Sequence, residues 1–331
     1  MPLFGSHLSI AGAMANALRE AERLGFDTVQ VFTKNQRQWK VAPLKDADTD
    51  EWRSEMNRLG WEGRVVAHNS YLVNLASPDD ELRNKSIDLQ REELRRAEAL
   101  GIPFLVSHPG AHTGSGEEAG LDRIADAYAR LLRETAGAAV VVCIENTVGS
   151  GSNLGGPFEH LRALRERILR LTGAEFGPRV GFCFDTCHAH AAGHDMRSAA
   201  AATRTLEEWG RAVGLEHIRV VHLNDSKAPA GSRLDRHAHI GEGTIAGPLK
   251  PGAARDYSGF AALLNHPALA GVPMILETPK EDDPSGEPWD RVNLARLRAL
   301  LSDSPEPSRK RPKASDGTDK GARKRPIRAS A

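Results

Sequence analysis

Cysteine is nearly absent from this 331-residue chain: only Cys143, Cys183 and Cys187 occur, inside or just after apolar runs. That count excludes a disulfide framework, and the lack of a second cysteine pair excludes a cysteine-based zinc knuckle, leaving packed, reduced thiols. Also missing is any run of about 18 apolar residues that would cross a bilayer. The opening Met1-Pro-Leu-Phe-Gly lacks the charged and apolar regions of a secretion signal, so no membrane association is expected and the chain is placed in the cytoplasm, or in the nucleus of a eukaryote. GSGSNLGG (residues 149–156) looks like a phosphate loop but lacks its glycine spacing, and no Walker lysine follows; a flexible loop leaving Glu145 accessible is expected there. Net charge is absent too, with 44 basic and 44 acidic residues. The balance is uneven, because residues 303–331 hold nine Lys/Arg and four acids, leaving 35 basic and 40 acidic residues in the body. An acidic body does not attract a polyanion through bulk charge, so nucleic-acid affinity needs a local patch, bound cations or the tail.

What is present is a repeat. Eight strand-like runs occur at Leu3–Leu8, Thr28–Thr33, Arg64–His68, Pro103–His108, Ala139–Glu145, Val180–Asp185, Arg219–Leu223 and Pro273–Glu277. Segments with helical apolar spacing separate them, among them Ala13–Leu24, Pro78–Leu100, Leu121–Arg133 and Ala199–Val213. Ser77 is the expected N-cap of the second of these, with Pro78 at its first position. Eight near-continuous apolar strands in alternation with helices predict parallel strands buried on both faces. A (β/α)8 TIM barrel over residues 1–302 is the expected fold, with an open doubly wound sheet second, and residues 303–331 form a disordered basic tail. The tail suits nucleic-acid binding or a nuclear address as well as it suits a solvated terminus.

Six of the runs end in, or enclose, a metal-binding side chain: His68, His108, Glu145, Asp185, His222 and Glu277. Successive gaps of 40, 37, 40, 37 and 55 residues are close to one strand, helix and two loops. Carboxyl ends of barrel strands converge on one mouth, where three carboxylates without cations would repel one another. FDTCHAH adds His188 one helical turn after Asp185, and LDRHAH adds Asp235 and His237 on one side of an extended segment. Five histidines and four carboxylates suit three zinc ions with one bridging carboxylate, and manganese or iron is tolerable. Cations about 3.5–4 Å apart neutralise the attacking and leaving oxygens of a phosphoryl displacement, so phosphodiester hydrolysis is the leading chemistry.

FTKNQRQW (residues 32–39) puts Lys34, Asn35, Gln36, Arg37 and Gln38 on a loop suited to phosphate contacts, although a solvated loop has the same composition. Tyr71 and Leu72 follow His68, where they serve equally as a wedge into stacked bases or as core packing. His112 is a candidate for indirect support of the centre, and His190 and His194 read as ordinary polar residues at a helix start.

GSHLSIAGAMANA, FTKNQRQW, HNSYLVNLASP, HPGAH, IENTVGSGSNLGGPFEHL, FDTCHAHAAGHD, HLNDSKAPAGSRLDRHAHIGEG and ILETP together resemble the endonuclease IV family, from about Gly5 to Thr278. The resemblance implies a monomeric TIM-barrel hydrolase of base-excision repair with three Zn2+, Mn2+ being an alternative at one position. Its partner would be duplex DNA containing abasic sites or blocked 3′ ends, cut 5′ to the abasic site to leave a 3′-hydroxyl and a 5′-deoxyribose phosphate, with removal of 3′ blocks as a second activity. Carried over by motif, His68, His108 and Glu145 would hold one zinc; bridging Glu145 with Asp185, His222 and Glu277 a second; and His188, Asp235 and His237 the third. Catalysis would rest on Glu145, Glu277, His108 and Asp185, with a metal-held hydroxide attacking phosphorus. Asn35, Arg37, Tyr71 and Leu72 would meet DNA around a flipped-out nucleotide. Asn69 stands where the motif often has Asp, and His190 and His194 where aromatic residues are usual. Two rivals remain: a sugar isomerase on a similar barrel, which needs neither the Asp235–His237 pair nor the polar loop, and a DNA-binding protein that never cuts.

Overall fold

The computed structural model describes residues 1–248 and 254–302. The strands are β1 (Leu3–His7), β2 (Thr28–Phe32), β3 (Val66–His68), β4 (Phe104–Ser107), β5 (Val141–Glu145), β6 (Val180–Asp185), β7 (Ile218–His222), β8 (Asp225–Ser226), β9 (His237–Ala238) and β10 (Pro273–Leu276). The helices are α1 (Ala15–Leu24), α2 (Asp46–Leu59), α3 (Asp80–Leu100), α4 (Glu117–Glu134), α5 (Phe158–Thr172), α6 (Thr186–Ala192), α7 (Ala199–Ala212), α8 (Ser258–Leu264) and α9 (Trp289–Arg298). Eight strands pair in parallel in the order β1-β10-β7-β6-β5-β4-β3-β2 and close on themselves, while β8 and β9 form a separate antiparallel pair. The barrel expected from the apolar runs is therefore present, and the open sheet is not.

Strands covered on both faces must be apolar throughout, and VGFCFD in β6 is buried at every position. The barrel interior is a cluster of Val66, Val106, Cys143, Cys183, Val220 and Ile275, so two of the three cysteines are packing residues as expected. Burial pushes the Cys183 thiol up to about 12, which keeps it protonated and inert. Gly5 on β1 sets the closure: a Cβ there would come within 2.7 Å of the Thr28 side chain and 2.8 Å of Ile275. In the larger cluster under the helices, Trp52, Phe158 and Trp209 from the helices pack with Phe182 from β6, all buried.

One helix start differs from expectation. Asp79, not Ser77, caps α3, accepting from the Glu81 and Leu82 amides at 2.9 and 3.0 Å. The charged carboxylate suits the positive helix end better than a hydroxyl does, and the Ser77 hydroxyl instead accepts from the Asp79 amide at 3.2 Å. The expected tail and its boundary at residue 303 lie outside the described residues.

Candidate metal centre

Strand register brings the six strand-end donors together. His68 ends β3, Glu145 ends β5, Asp185 ends β6 and His222 ends β7, while His108 and Glu277 follow β4 and β10 directly. Asp185 and His222 are direct partners across β6 and β7. Glu145 lies in the middle: its Oε2 is 3.1 Å from His108 Nε2 and 3.4 Å from His68 Nε2, and its Oε1 is 3.0 Å from His222 Nδ1 and 3.2 Å from His188 Nδ1. Glu277 Oε2 reaches His222 Nδ1 at 3.0 Å. His188 sits on α6, whose N-cap is Asp185 itself, so cap and donor turn on the same carboxylate, which accepts from the His188 amide at 2.6 Å.

The remaining donors arrive on the long segment after β7. Buried Asp225 accepts from the amides of Gly241, Ile245 and Ser226 at 2.8–2.9 Å, folding this segment over the mouth. The pairing of β8 with β9 sets His237 opposite Ser226. Asp235 then lies 3.3 Å from His188 Nε2 and 3.5 Å from His237 Nε2, which in turn lies 3.6 Å from Asp185. All nine predicted donors thus form one contiguous cluster.

The cluster fits cations on two observations. His237 Nε2 is buried without a hydrogen-bond partner although two carboxylates face it. Donors around a tetrahedral ion with bonds of about 2.1 Å stand ~3.4 Å apart, and the separations of 3.3–3.6 Å just given are of that size and too long for strong hydrogen bonds. Among the donor groups close enough to share one ion are His68, His108 and Glu145; Glu145, Asp185, His222 and Glu277; and Asp185, His188 and His237, while Asp235 groups with His237 and Cys187.

Electrostatics agree. Burial alone would push these carboxyls up, but His222 and His108 hold Glu145 well below the usual carboxylate range, and His222 with His7 does the same to Glu277. Conversely, burial disfavours a charged His188, yet Asp185, Asp235 and Glu145 lift it well above its ordinary value. Without cations, imidazolium protons take over the task of offsetting clustered negative charge.

Ring orientation is fixed from behind. His188 Nδ1 and His68 Nδ1 donate to the carbonyls of Asn146 and Asn69 at 3.0 and 2.8 Å, leaving each Nε2 turned toward the cluster. His222 is reversed: its Nε2 donates to Gln30 Oε1 at 2.8 Å, so Nδ1 faces Glu145 and Glu277. The Gln30 amide also donates to Glu277 Oε1 at 2.7 Å and stands 2.9 Å from His7 Nδ1. Sequence reasoning missed Gln30; its signal is a fully buried amide in the otherwise apolar TVQVF strand. Gln30→Leu is expected to weaken cation retention by roughly 10- to 100-fold, read by competition with a calibrated chelator; unchanged retention would remove Gln30 from the centre.

The flanking residues sort differently. Tyr71 is exposed and half of a wall between two clefts, one lined by Asn74, His108 and His188, the other by His7, Phe32 and Glu277, with Asp235 shared by both. Arg37 and Asn35 are exposed on their loop, where the Asn35 side chain accepts from the Arg37 amide at 2.9 Å, and Leu72 is half-buried against the core. Lys34 departs from the phosphate-contact reading of its loop: it is buried, its ammonium donating to the Asn35 and Gln38 carbonyls. The loop at 149–156 is tied down rather than loose, with buried Leu154 donating to the Gly110 carbonyl, and Glu145 beneath it is fully buried. His112 does not support the centre either; its ring accepts from the Gly116 amide. His194 stacks on Phe158 at 3.8 Å, and His190 is buried beside Asp195.

The model of the xylose isomerase-like TIM barrel family matches residues 18–300. A Chloroflexus aurantiacus protein named "Probable endonuclease 4" is 46% identical over 301 residues, covering 91% of this chain and 99% of that protein. The endonuclease IV structure from Thermus thermophilus shares 35% identity at a TM-score of 0.74, covering 90% of this chain and 98% of that one. The chain belongs to the endonuclease IV family. A Geotalea daltonii protein of the same name adds 41% identity over 297 residues, 90% of this chain and 97% of that protein. This endonuclease IV relative therefore joins a nuclease family's sequence to a barrel of the xylose isomerase-like plan.

Proposed function

We propose that this endonuclease IV family member is a DNA-repair hydrolase that cuts the phosphodiester 5′ to an abasic site in duplex DNA, leaving a 3′-hydroxyl and a 5′-deoxyribose phosphate. Removal of blocking groups from 3′ ends is the second activity of the same centre. The observation that carries this reading is the third donor group, His188, Asp235 and His237, placed beside exposed Tyr71 and next to Glu145. A sugar isomerase needs no third cation and has no use for an aromatic wall at the rim.

His68, His108 and Glu145 would hold one Zn2+ and Glu145, Asp185, His222 and Glu277 a second; His188 and His237, with Asp235 at 3.3 and 3.5 Å from the two rings, would hold a third, with Mn2+ tolerated at one position. When bound, divalent ions supply a nucleophile from water at neutral pH and positive charge for the phosphoryl oxygens. The chain's own part is geometric and dielectric. Glu145 bridges the donor groups, Gln30 keeps the His222 ring turned inward, and burial of Glu145, Asp185 and His222 strengthens every charge interaction there. Arg37 pairs with backbone phosphate, while Tyr71 and Leu72 enter the space left by the displaced sugar. No described helix is long and apolar enough to cross a membrane; we place the protein in the cytoplasm as a monomer.

A duplex carrying a tetrahydrofuran abasic analogue tests the reading, because that sugar cannot undergo β-elimination. Incision that leaves an extendable 3′-hydroxyl is expected, and an intact strand in the presence of zinc refutes the nuclease. Elemental analysis should give about three divalent ions per chain, falling by one in Asp235→Ala/His237→Ala; two ions in the unchanged protein would refute the trinuclear assignment.

A further inference from the structure

Four polar side chains on one face of α3, Ser86, Gln90, Glu93 and Arg96, are spaced four, three and three residues apart, and their exposures are 0%, 0%, 1% and 7%. A buried polar stripe on a helix destabilises unless its groups find partners. Here the partners outside the helix lie in the two loops that present Arg37 and Tyr71-Leu72.

Glu93 accepts from the Ser70 amide through both oxygens, at 3.0 and 3.1 Å, and lies 3.7 Å from Lys34 Nζ. Lys34 donates to the carbonyls of Asn35 and Gln38 at 3.0 and 2.9 Å, on either side of Arg37. Arg96 donates to the Thr33 carbonyl and, at 2.9 Å, to that of Ala42, spanning the base of the same loop. Ser86 accepts from the Asn74 amide at 3.0 Å, and Gln90 accepts from Asn69 at 2.8 Å. The loops are also braced to each other, since the Ser70 hydroxyl donates to the Gln36 carbonyl at 2.6 Å. None of the four helix residues, nor Lys34, belongs to the donor groups of the cation cluster.

We propose that Glu93 and Lys34 are positioning residues for substrate recognition: this buried ion pair fixes the two loops at one spacing so that Arg37, Tyr71 and Leu72 meet the duplex together. The proposal rests on the abasic-DNA reading above and extends it to side chains that touch neither DNA nor cations. Preorganised loops bind without first losing conformational freedom, so freeing them raises KM and Kd for duplex while leaving the cation chemistry intact.

The test is Glu93→Gln, nearly the same size without the charge, and Lys34→Met. For each, KM, kcat and Kd are measured on the tetrahydrofuran duplex, and turnover on bis(p-nitrophenyl) phosphate, a small diester too short to reach either loop. The expected result is a roughly 10- to 100-fold rise in KM and Kd for duplex, with small-diester turnover within about twofold and metal content unchanged. Glu93→Asp, which keeps the charge, should recover part of the lost affinity. A duplex KM and Kd within about twofold of the unchanged protein, or a parallel fall on both substrates at full metal content, overturns the proposal. If Glu93→Gln does not fold, as shown by lost metal and no cooperative melt, Lys34→Met decides by the same criteria. Absence of incision by the unchanged protein would refute the nuclease reading separately, and Kd for the duplex would then decide the positioning claim.

Discussion

Glu145→Gln is expected to lower single-turnover incision of the tetrahydrofuran duplex by at least ~10^4-fold, the scale on which loss of a central catalytic group is felt. Glu145 is the residue on which the donor groups meet, with four imidazole nitrogens within 3.4 Å of its two oxygens. An amide keeps the volume but presents N–H on one side, so it cannot bridge two cations, and it leaves His222 and His188 facing a donor. Metal content should fall together with activity, because the groups built on His68–His108 and on Asp185–His222–Glu277 both use this carboxylate. A fall in turnover below about tenfold, with all cations retained, would contradict the central role of Glu145.

Chelation is expected to change stability in opposite ways across the pH range. Each ion bound a thousandfold above its dissociation constant stabilises the folded chain by about 4 kcal/mol; at roughly 2 °C per kcal/mol for a chain of this length, each adds ~8 °C to Tm. The ion-free chain relies on protons instead. His188 has its folded pKa raised well above 6.5, so its contribution is complete below pH 6.5 and is lost as pH rises from there through the folded value. Glu145 and Glu277 are depressed below 4.5, so theirs is present above pH 4.5 and lost as pH falls through their folded values. Tm of the chelated protein should therefore be highest between pH 4.5 and 6.5 and decline above it. The loaded protein should instead gain as pH rises, because cations need deprotonated imidazole. Calorimetry with and without chelator checks this, and a gap that narrows as pH rises from 6.5 would contradict cation binding by these histidines.

The barrel and the convergence of its strand-end side chains were legible for one reason. Buried parallel strands are written as unbroken apolar runs, and a His, Asp or Glu at the end of such a run has only one place to go once the sheet closes. His68, His108, Glu145, Asp185, His222 and Glu277 meet because strand ends meet. Residues whose role depends on what packs over them were not legible. Lys34 sits among the long polar side chains of its loop, yet Glu93, 59 positions later, draws it inward. Gln30 occupies an interior strand position that apolar periodicity treats as an irregularity, and its value comes from His222, 192 residues away. Asp79 displaced Ser77 as the cap of α3 because a carboxylate serves the helix end better, a local contest that residue preferences leave nearly even.

The eighth side of the barrel has a consequence during synthesis. Glu277 follows β10, which pairs with both β1 and β7, so β1 and β7 each keep one edge open until this later strand is made. Until that strand leaves the ribosome, a growing chain holds an incomplete set of donors and an open sheet. The complete donor set is thereby withheld from every fragment that stops short of β10 and is assembled only once the sheet closes.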